Sequence, residues 1–382
     1  MYRALIFRHL LRHKLRTALT ILGMAVAILA FLLLRGVVQA WYRGVDSASD
    51  NRLVTRNAIS LTFFLPISYL PTLKQFPGII GVTHMTWFGG VYIDQRNFFP
   101  RFAVGPRFFE IHPEFVLTED ELLNYQREKR AAVVGRRLAE KYGWRIGDQV
   151  PIKGNIFPGD WTFVVRGIYK GGKSSTDESL MLFHHDYLNE YLLKTIPRLA
   201  NKVGTFILRL KDPDQSADLS RQVDREFQNS AAETLTETEK SFQLGFVAMT
   251  KALLTVIQAV SLIVILVILT VLANTMAMSV RERTIEYVVM KTLGFGSAHL
   301  GFLVLGESLV LAATGGLLGA VLSYPAGRIF TQAVGGLVDF TVPPATMSLG
   351  LGAALAVGLL AAVVPVIRVA GISIAEGLRR VG

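Results

Sequence analysis

Four long apolar stretches limit what this chain can fold into. The first covers residues 17–34 and contains no charged side chain. The others are residues 252–273, 300–324 and 349–367, and Glu307 in the third stretch is the one acid among them. Because about 20 apolar residues in a helix cross a bilayer, each stretch predicts a membrane span. We therefore expect an α-helical membrane protein with one span near its start and three near its end.

The first stretch has the position of a secretory signal peptide. Its apolar region is longer than the roughly 7–15 residues of such peptides, and Arg35 interrupts it before a small-residue cleavage site. We interpret it as an uncleaved anchor.

Basic residues flank the spans on one predicted side of the membrane. Because Lys and Arg near span ends stay in the cytoplasm, they predict a multi-pass membrane protein with both ends in the cytoplasm. They also account for much of the net charge of +11 without nucleic acid, since such flanks meet anionic lipid. The residues are Arg3, Arg8, Arg12, Lys14 and Arg16 before the first span, Arg281, Arg283 and Lys291 after the second, and Arg368, Arg379 and Arg380 after the fourth.

This topology divides the chain into nine expected segments. They are a basic N-terminal segment (1–16), span 1 (17–40), a periplasmic domain (41–245), a stalk with span 2 (246–279), a cytoplasmic segment (280–299), span 3 (300–327), a short periplasmic loop (328–346), span 4 (347–367) and a cytoplasmic tail (368–382).

The segment between the first two spans has the pattern of a mixed domain. Short alternating runs predict strands at residues 58–64, 91–93, 131–134, 162–169 and 205–210. Helical periodicity appears at residues 119–130, 136–142, 185–193 and 217–228. We therefore expect a large α+β domain, and without any cysteine in the chain it must fold on its own core.

Gly167 and the run Gly172-Lys173-Ser174 have the spacing of a phosphate-binding loop. Such a loop needs a helix that begins at the Lys-Ser pair. Here a polar segment follows, and then the apolar run 180–183, which predicts a turn between two strands. The predicted location outside the cytoplasm also argues against a nucleotide site, so we expect no cofactor on this chain.

Two other features of this domain have alternative interpretations. The aromatic-rich residues 97–115 form either a contact surface or part of the core, and the core is favoured because large aromatics dominate ordinary cores. His184, His185 and Asp186 resemble metal ligands, but adjacent side chains diverge and no further ligand cluster accompanies them. We expect no metal site, and no spacing of residues indicates catalysis.

Residues 274–300 form a charged, helix-like segment between the second and third spans. It is either a solvated hairpin or a lever that engages a cytoplasmic partner. Its run MSVRERTIEYVVMKTLG, the following FLVLGESLVLAATGGLLGAVLS and the tail PVIRVAGISIAEGLRR resemble the carboxy-terminal region of MacB/FtsX-like ABC transporter permeases, the macrolide-exporter and lipoprotein-release type. The N-terminal LLRHKLRTALTILGMAVA resembles that family too, as does the one-plus-three layout of spans.

The resemblance implies a non-catalytic permease subunit that dimerises, most simply as a homodimer. A separate cytoplasmic ABC ATPase, which holds ATP and Mg, would drive it. Mixed charges on a short helix can form oriented ion pairs with such a partner, and a glycine lets the chain turn back into the membrane. The family's coupling element maps onto Arg281, Glu282, Arg283, Glu286, Lys291 and Gly294.

The third and fourth spans contain one acid and many small residues. We favour a structural or coupling role for Glu307, such as bonding a neighbouring helix, over a substrate or proton site. Small residues at four-residue spacing let helix backbones approach closely, within a bundle or across a dimer. They are Gly315, Gly319, Gly350, Ala354, Gly358 and Ala362.

By the resemblance, the expected function is mechanical. ATP hydrolysis on the partner would move the periplasmic domain and export a small molecule or lipid-like substrate, with a periplasmic adaptor and an outer-membrane duct. Two alternatives stay open, an FtsX-type scaffold that regulates a cell-wall hydrolase and a lipoprotein-release permease. A neighbouring gene for an adaptor would favour export, and one for a peptidoglycan hydrolase would favour the scaffold.

Overall fold

A computed structural model describes residues 12–95, 97–173, 175–333 and 342–372. They form two compact units, a membrane unit up to Ala40 and from Lys251 onward, and an inserted domain from Trp41 to Thr250. The basic residues expected at 1–11, part of the expected loop 328–346, the tail beyond 372 and Ser174 lie outside the described residues.

The described chain opens with one long helix, α1 (Lys14–Ser47). Residues Lys14–Ala40 of this helix are long and apolar enough to cross a membrane. Met24, Ile28 and Leu32 recur every four residues and are fully buried, whereas Leu22 and Val26 are exposed. One stripe of α1 therefore packs inside the membrane unit, and the opposite stripe faces outward.

The inserted domain is built on one mixed sheet. Within the described residues, ten strands follow the order β12-β1-β11-β3-β4-β9-β6-β8-β5 with β7 also on β8, and β2 pairs separately with β10. Pairing is antiparallel from β12 to β4, whereas the β4–β9 and β6–β8 pairs are parallel. The strands are β1 (Arg52–Asn57), β2 (Leu65–Pro66), β3 (Ile79–Trp87), β4 (Arg101–Val104), β5 (Phe115–Val116), β6 (Ala131–Gly135), β7 (Gln149–Gly154), β8 (Gly159–Gly171), β9 (Met181–His184), β10 (Lys202–Val203), β11 (Thr205–Leu210) and β12 (Thr234–Thr238).

Short helices connect these strands. The helix α4 begins with a capping box in which Thr118 and Glu121 satisfy each other's backbone amides. The helices are α2 (Tyr69–Leu73), α3 (Phe108–Ile111), α4 (Glu119–Arg127), α5 (Arg136–Tyr142), α6 (His185–Thr195), α7 (Ser216–Glu226) and α8 (Glu239–Met249).

The domain has a separate hydrophobic core near each end of its sheet. One core packs α7 against β1 and β11 through residues such as Leu53, Leu208 and Val223. The other is aromatic and centres on Phe88, Trp161, Phe163 and Phe183.

A buried ion-pair cluster ties the sheet to α8. Arg52 on β1 pairs with Glu114 and Glu239, each at 2.7 Å. Burial alone would raise the pKa of Glu114, but the hydrogen bond and charge of Arg52 outweigh this effect and lower the pKa. Glu114 is therefore held as the carboxylate that the buried arginine requires.

Several predictions for this domain are confirmed. The strand at 205–210 and the helix at 136–142 have the expected bounds. Gly167 lies inside β8, where it pairs with Val133, and residues 175–180 form no helix before β9. The segment with phosphate-loop spelling is thus a strand followed by a turn.

The strand predicted at 58–64 is wrong. The strand in this region is β1, and it ends at Asn57. The Asn57 side chain accepts a hydrogen bond from the Ile59 amide, and Ser60 does the same for Thr62. Such local bonds between side chain and backbone compete with sheet pairing and favour a turn.

The aromatic-rich residues 97–115 contribute mainly to the core. Phe99 and Phe108 are buried, and the Arg101 guanidinium lies 3.7 Å from the Phe99 ring centroid. His184 and His185 point to different partners, the carbonyls of Tyr125 and Lys202. Among the described residues, no group of three or more His, Asp or Glu side chains is placed to hold a metal ion.

Four further helices complete the membrane unit. The helices α9 (Lys251–Glu282), α11 (Ser297–Ala333) and α12 (Pro344–Ala370) include candidate spans, and the short α10 (Thr284–Thr292) lies between the first two. With α1, the described chain therefore has four candidate spans, arranged as one plus three around the inserted α+β domain. The expected fold class is confirmed.

Candidate functional site

The segment between α9 and α11 is shaped by two backbone features. The helix breaks at Arg283, whose ψ of 15° departs from helical geometry, and α10 then begins. At the other end, Gly294 adopts φ +91°. Its amide bonds the Lys291 carbonyl and the Phe295 amide bonds the Met290 carbonyl, which is the Schellman pattern that ends a helix at a left-handed glycine.

The two acids of this segment hold the start of α1. Glu282 receives two hydrogen bonds from Arg16, at 2.6 and 2.8 Å, in a bidentate arrangement. Glu286, one turn further on, pairs with Arg12. Both acids therefore form ion pairs within the chain.

Arg283 points away from this pair of contacts and into the helix bundle. Its guanidinium lies 3.0 Å from a carboxylate oxygen of Glu307 on α11, and both side chains are buried. Arg283 also donates a hydrogen bond to the Tyr287 side chain, and burial raises the pKa of Tyr287 to about 12. Glu307 therefore forms an ion pair with the residue at the helix break, which is one of the residues assigned to the coupling element.

The last two residues of the predicted coupling element, Lys291 and Gly294, are both located at helix C-termini. Lys291 donates hydrogen bonds to the carbonyls of Ala370 and Ile372, at 3.0 and 2.7 Å. Ser297 also donates to the Ala370 carbonyl. A cation at the C-terminal end of α12 is electrostatically favourable because that end carries partial negative charge. Gly294, as described above, ends α10.

An apolar stripe is the feature of this segment that the sequence analysis missed. Ile285, Val289 and Leu293 are 53, 51 and 73% exposed. Their spacing of four residues places Ile285 and Val289 on one face of α10, and Leu293, the residue that follows the helix, continues this row. Arg281 is also exposed, just before the helix break. We call these three apolar residues the α10 stripe.

The small residues of α11 and α12 pack inside the bundle. A Cβ added at Gly315 or Gly319 would lie 2.6 Å from Met24 or 2.5 Å from the Ala25 carbonyl, both on α1. An added Cβ would likewise lie 2.7 Å from Leu32 at Gly350, 2.7 Å from Ala354 at Gly316 and 2.6 Å from Ala312 at Gly358. These five close approaches join helices of one chain.

Comparison with known proteins identifies the family. Residues 17–226 match the family model of the MacB-like periplasmic core domain, and this match alone covers more than half of the chain. The chain belongs to the MacB/FtsX-like family of ABC transporter permeases. Residues 259–374 of this permease also match the family model of the FtsX-like permease C-terminal domain.

Relatives with similar sequences agree with this assignment. An uncharacterized ABC transporter permease of Methanocaldococcus jannaschii is 25% identical over 345 residues, which cover 83% of this permease and 81% of the relative. The pyoverdine export ATP-binding/permease protein PvdT of Pseudomonas putida is 25% identical over 358 residues. That match covers 84% of this permease and 51% of the Pseudomonas protein, so the permease spans about half of this relative's length.

Two solved structures are similar to about half of this permease. The periplasmic region of MacB from Actinobacillus actinomycetemcomitans aligns with a TM-score of 0.38 and 13% identity, covering 54% of this permease and 95% of that chain. The extracellular domain of the noncanonic ABC-type transporter YknZ from Gram-positive bacteria aligns with a TM-score of 0.36 and 15% identity, covering 49% of this permease and 99% of that chain.

Proposed function

We propose that this permease couples ATP hydrolysis on a separate cytoplasmic ABC ATPase to movement of its inserted domain, and that it works in export. The observation that carries this proposal is the α10 stripe. A short helix between two spans exposes the three residues of this stripe, while Glu282, Arg283 and Glu286 form ion pairs within the chain. A partner that receives α10 would bury these three side chains.

The stripe has the chemistry of a docking element. Apolar side chains on one face of a helix are read by a hydrophobic groove, with anchors at four-residue spacing. The exposed Arg281 precedes Ile285 by four residues, across the helix break, and would meet an acidic rim of such a groove. In this arrangement the partner binds through the apolar face, and the ion pairs of Glu282, Arg283 and Glu286 attach α10 to its own bundle.

The names of the relatives support a partnership with an ATPase and a role in export. The Pseudomonas relative is named as an ATP-binding/permease protein for pyoverdine export, and this permease matches about half of it. We propose that a partner chain provides the ATP-binding function together with ATP and Mg. A small-molecule or lipid-like substrate, a periplasmic adaptor with an outer-membrane duct, and a homodimer of the permease complete the proposed system.

The proposal requires a specific orientation in the bacterial inner membrane. The α10 stripe must face the cytoplasm, together with both ends of the chain. Basic residues are concentrated near the span ends that would face the cytoplasm in this orientation. They include Arg12, Arg16, Arg281 and Lys291. Their enrichment supports this orientation, since basic flanks remain in the cytoplasm.

The proposed docking is tested by removing the apolar face of α10. The variant Ile285→Ser plus Val289→Ser is compared with wild type in a pull-down from native membranes, with the bound ATPase identified by mass spectrometry and its affinity then measured. Completing the burial of two half-exposed aliphatic side chains is worth about 1 kcal/mol each. We therefore expect the affinity for the ATPase to fall about 30-fold.

A matched control is available on the same helix. The variant Thr284→Ser plus Thr292→Ser introduces the same residue type off the stripe and keeps the hydroxyls that bond the helix backbone. This control should bind the ATPase like wild type. If no ATPase accompanies the wild-type permease, or if the stripe variant binds as well as the control, the proposed function is contradicted.

A further inference from the structure

The charged residues around the helix break contact two different parts of the bundle. Glu282 and Glu286 bind α1 through Arg16 and Arg12, whereas Arg283 binds Glu307 on α11. The contacts with α1 are partly exposed, and the pair with Glu307 is buried. Arg283 therefore occupies the break itself, and its ion pair with Glu307 connects the break to the interior of the bundle.

Glu307 lies well inside α11. It is ten residues beyond Ser297, the first residue of that helix, which corresponds to about 15 Å along the axis. The next residue, Ser308, donates a hydrogen bond of 2.7 Å to the Gly358 carbonyl on α12. At Gly358 the two helices also approach so closely that an added Cβ would lie 2.6 Å from Ala312. The turn of α11 that holds Arg283 is thus fixed to α12.

We propose that the Arg283–Glu307 ion pair is the joint that transmits displacement of α10 to α11 and α12. This inference rests on the proposed function, because it assumes that a partner moves α10. Arg283 and Glu307 are positioning residues in this scheme, and neither contacts the partner.

An ion pair suits such a joint better than an apolar contact does. Replacing a buried ion pair by apolar side chains often leaves a protein equally stable, so stability alone does not require the pair. A hydrogen-bonded pair fixes direction, because the guanidinium and the carboxylate must stay aligned. A displaced Arg283 therefore either carries Glu307 with it or leaves a buried charge without its partner.

A small polar cavity beside the pair gives it room to move. Its volume is about 20 Å³, which is enough for one water molecule. Its lining residues include Thr20, Thr275 and Ser279, together with Arg283 and Glu307. The Thr20 and Thr275 hydroxyls donate to backbone carbonyls of their own helices, so their oxygens can accept a hydrogen bond from a shifted Arg283.

The test measures movement at two places in one complex. Because the chain has no cysteine, spin labels can be attached at introduced cysteines alone. A near pair, Leu15→Cys with Thr292→Cys, reports on α10, and a far pair, Val26→Cys with Ile329→Cys, reports on the distal part of α11. Labelled permease is bound to its ATPase in nanodiscs, and both distances are measured by electron spin resonance with and without ATP.

The decisive variant is Arg283→Gln plus Glu307→Gln, which keeps two hydrogen-bonding side chains and removes both charges. We expect it to bind the ATPase and to retain the ATP-dependent change of the near pair, whereas the change of the far pair falls by about half or more. The exchanged variant Arg283→Glu plus Glu307→Arg restores opposite charges and should recover the change of the far pair. A purely structural role would alter stability without separating the two distances.

The outcomes distinguish this inference from the proposal on which it rests. If the near pair does not respond to ATP in the otherwise unchanged permease, the proposed function fails. If the near pair responds and the far pair still moves fully in the neutral variant, the joint is overturned. The same holds if the exchanged variant folds, binds the ATPase and shows no recovery of the far distance.

Discussion

Gly319 lies where α11 meets α1, and it shows how closely single residues set the packing of the bundle. An added Cβ would lie 2.5 Å from the Ala25 carbonyl, which is backbone and cannot turn aside. Gly352 on α12 has no atom within 4 Å of the same position. Gly319 therefore leaves no room for a side chain, whereas a methyl group fits at Gly352.

We expect Gly319→Ala to destabilise the permease and Gly352→Ala to leave it unchanged or slightly more stable. Alanine is favoured over glycine in a helix by about 1 kcal/mol, and this gain acts at both sites. At Gly319 the overlap with α1 outweighs it, since overpacking costs about 1–3 kcal/mol. Thermal unfolding of the two variants in one detergent measures the difference. Equal midpoints would mean that α1 and α11 do not pack at Gly319.

His84 is a buried histidine at the centre of the inserted domain. It stacks edge-on against His185, with 4.6 Å between ring centroids, and neither of its ring nitrogens has a hydrogen-bond partner in the described part of the chain. Burial lowers the pKa of His84 to about 3, and the charges of His185 and Lys74 act in the same direction. The folded domain therefore holds this side chain neutral.

The inserted domain should lose stability as the pH falls below the ordinary histidine pKa. Between about pH 6.5 and 3, His84 is protonated in the unfolded chain but neutral in the folded chain. Each pH unit in this range therefore lowers the free energy of unfolding by up to about 1.4 kcal/mol. All four tryptophans lie in residues 41–161, so their fluorescence reports on this domain in the full chain. The unfolding midpoint should fall from pH 7 to pH 5, and less steeply in His84→Phe. Identical slopes would contradict the assignment.

At the scale of single elements, α10 depends on how it ends. Gly294 has φ +91°, a conformation that costs other residues about 1–2 kcal/mol, and nothing lies within 4 Å of an added Cβ. Gly296 lacks a positive φ, so it provides a control two residues away. Space is available at both positions, and the backbone angle alone distinguishes them.

We expect Gly294→Ala to loosen the last turn of α10, whereas Gly296→Ala should not. A loss of about 1.4 kcal/mol would speed hydrogen exchange of the amides at residues 288–293 about tenfold, provided that they exchange by local opening. Exchange measured by mass spectrometry on both variants tests this expectation. Faster exchange in both, or in neither, would show that the left-handed glycine does not hold the end of α10.

The elements that the sequence predicted correctly are those with a strong local pattern. The apolar spans and the strand 205–210 follow from uninterrupted apolar or alternating runs. The strand β1 was missed because Arg52 and Arg56 interrupt its pattern. The partners that bury Arg52, Glu114 and Glu239, lie 62 and 187 residues away along the chain. Local periodicity carries no information about such distant partners.

The candidate site was found by its residue types, but their arrangement was not. The charges of residues 281–291 are visible in the sequence, whereas their partners Arg12, Arg16 and Glu307 are 24 to 274 residues distant. The spacing of Ile285, Val289 and Leu293 in the sequence is enough to predict the α10 stripe. It was missed because the interpretation of this segment relied on its charged residues. In this helix Tyr287 and Val288 are buried while the stripe is exposed, so apolar character alone does not identify the face that packs against the bundle.

At the scale of the whole molecule, the proposed function depends on which side of the membrane α10 faces. The chain has no cysteine, so one introduced cysteine can be labelled without background. Lys194 on α6 and Thr292 on α10 are both exposed, and they represent the inserted domain and the segment between the second and third spans. Their accessibility from outside the cell should therefore differ if the basic flanks set the topology.

We expect a maleimide that cannot cross the inner membrane to label Lys194→Cys when only the outer layers of the cell are opened. Thr292→Cys should react only after the inner membrane is permeabilised. Val267→Cys, on a lipid-facing position of α9, should react in neither case, because an apolar environment disfavours the thiolate. Labelling of Thr292→Cys from outside would place α10 away from any cytoplasmic ATPase. The stripe of Ile285, Val289 and Leu293 would then require a partner on the opposite side of the membrane, and coupling to ATP hydrolysis through α10 would be excluded.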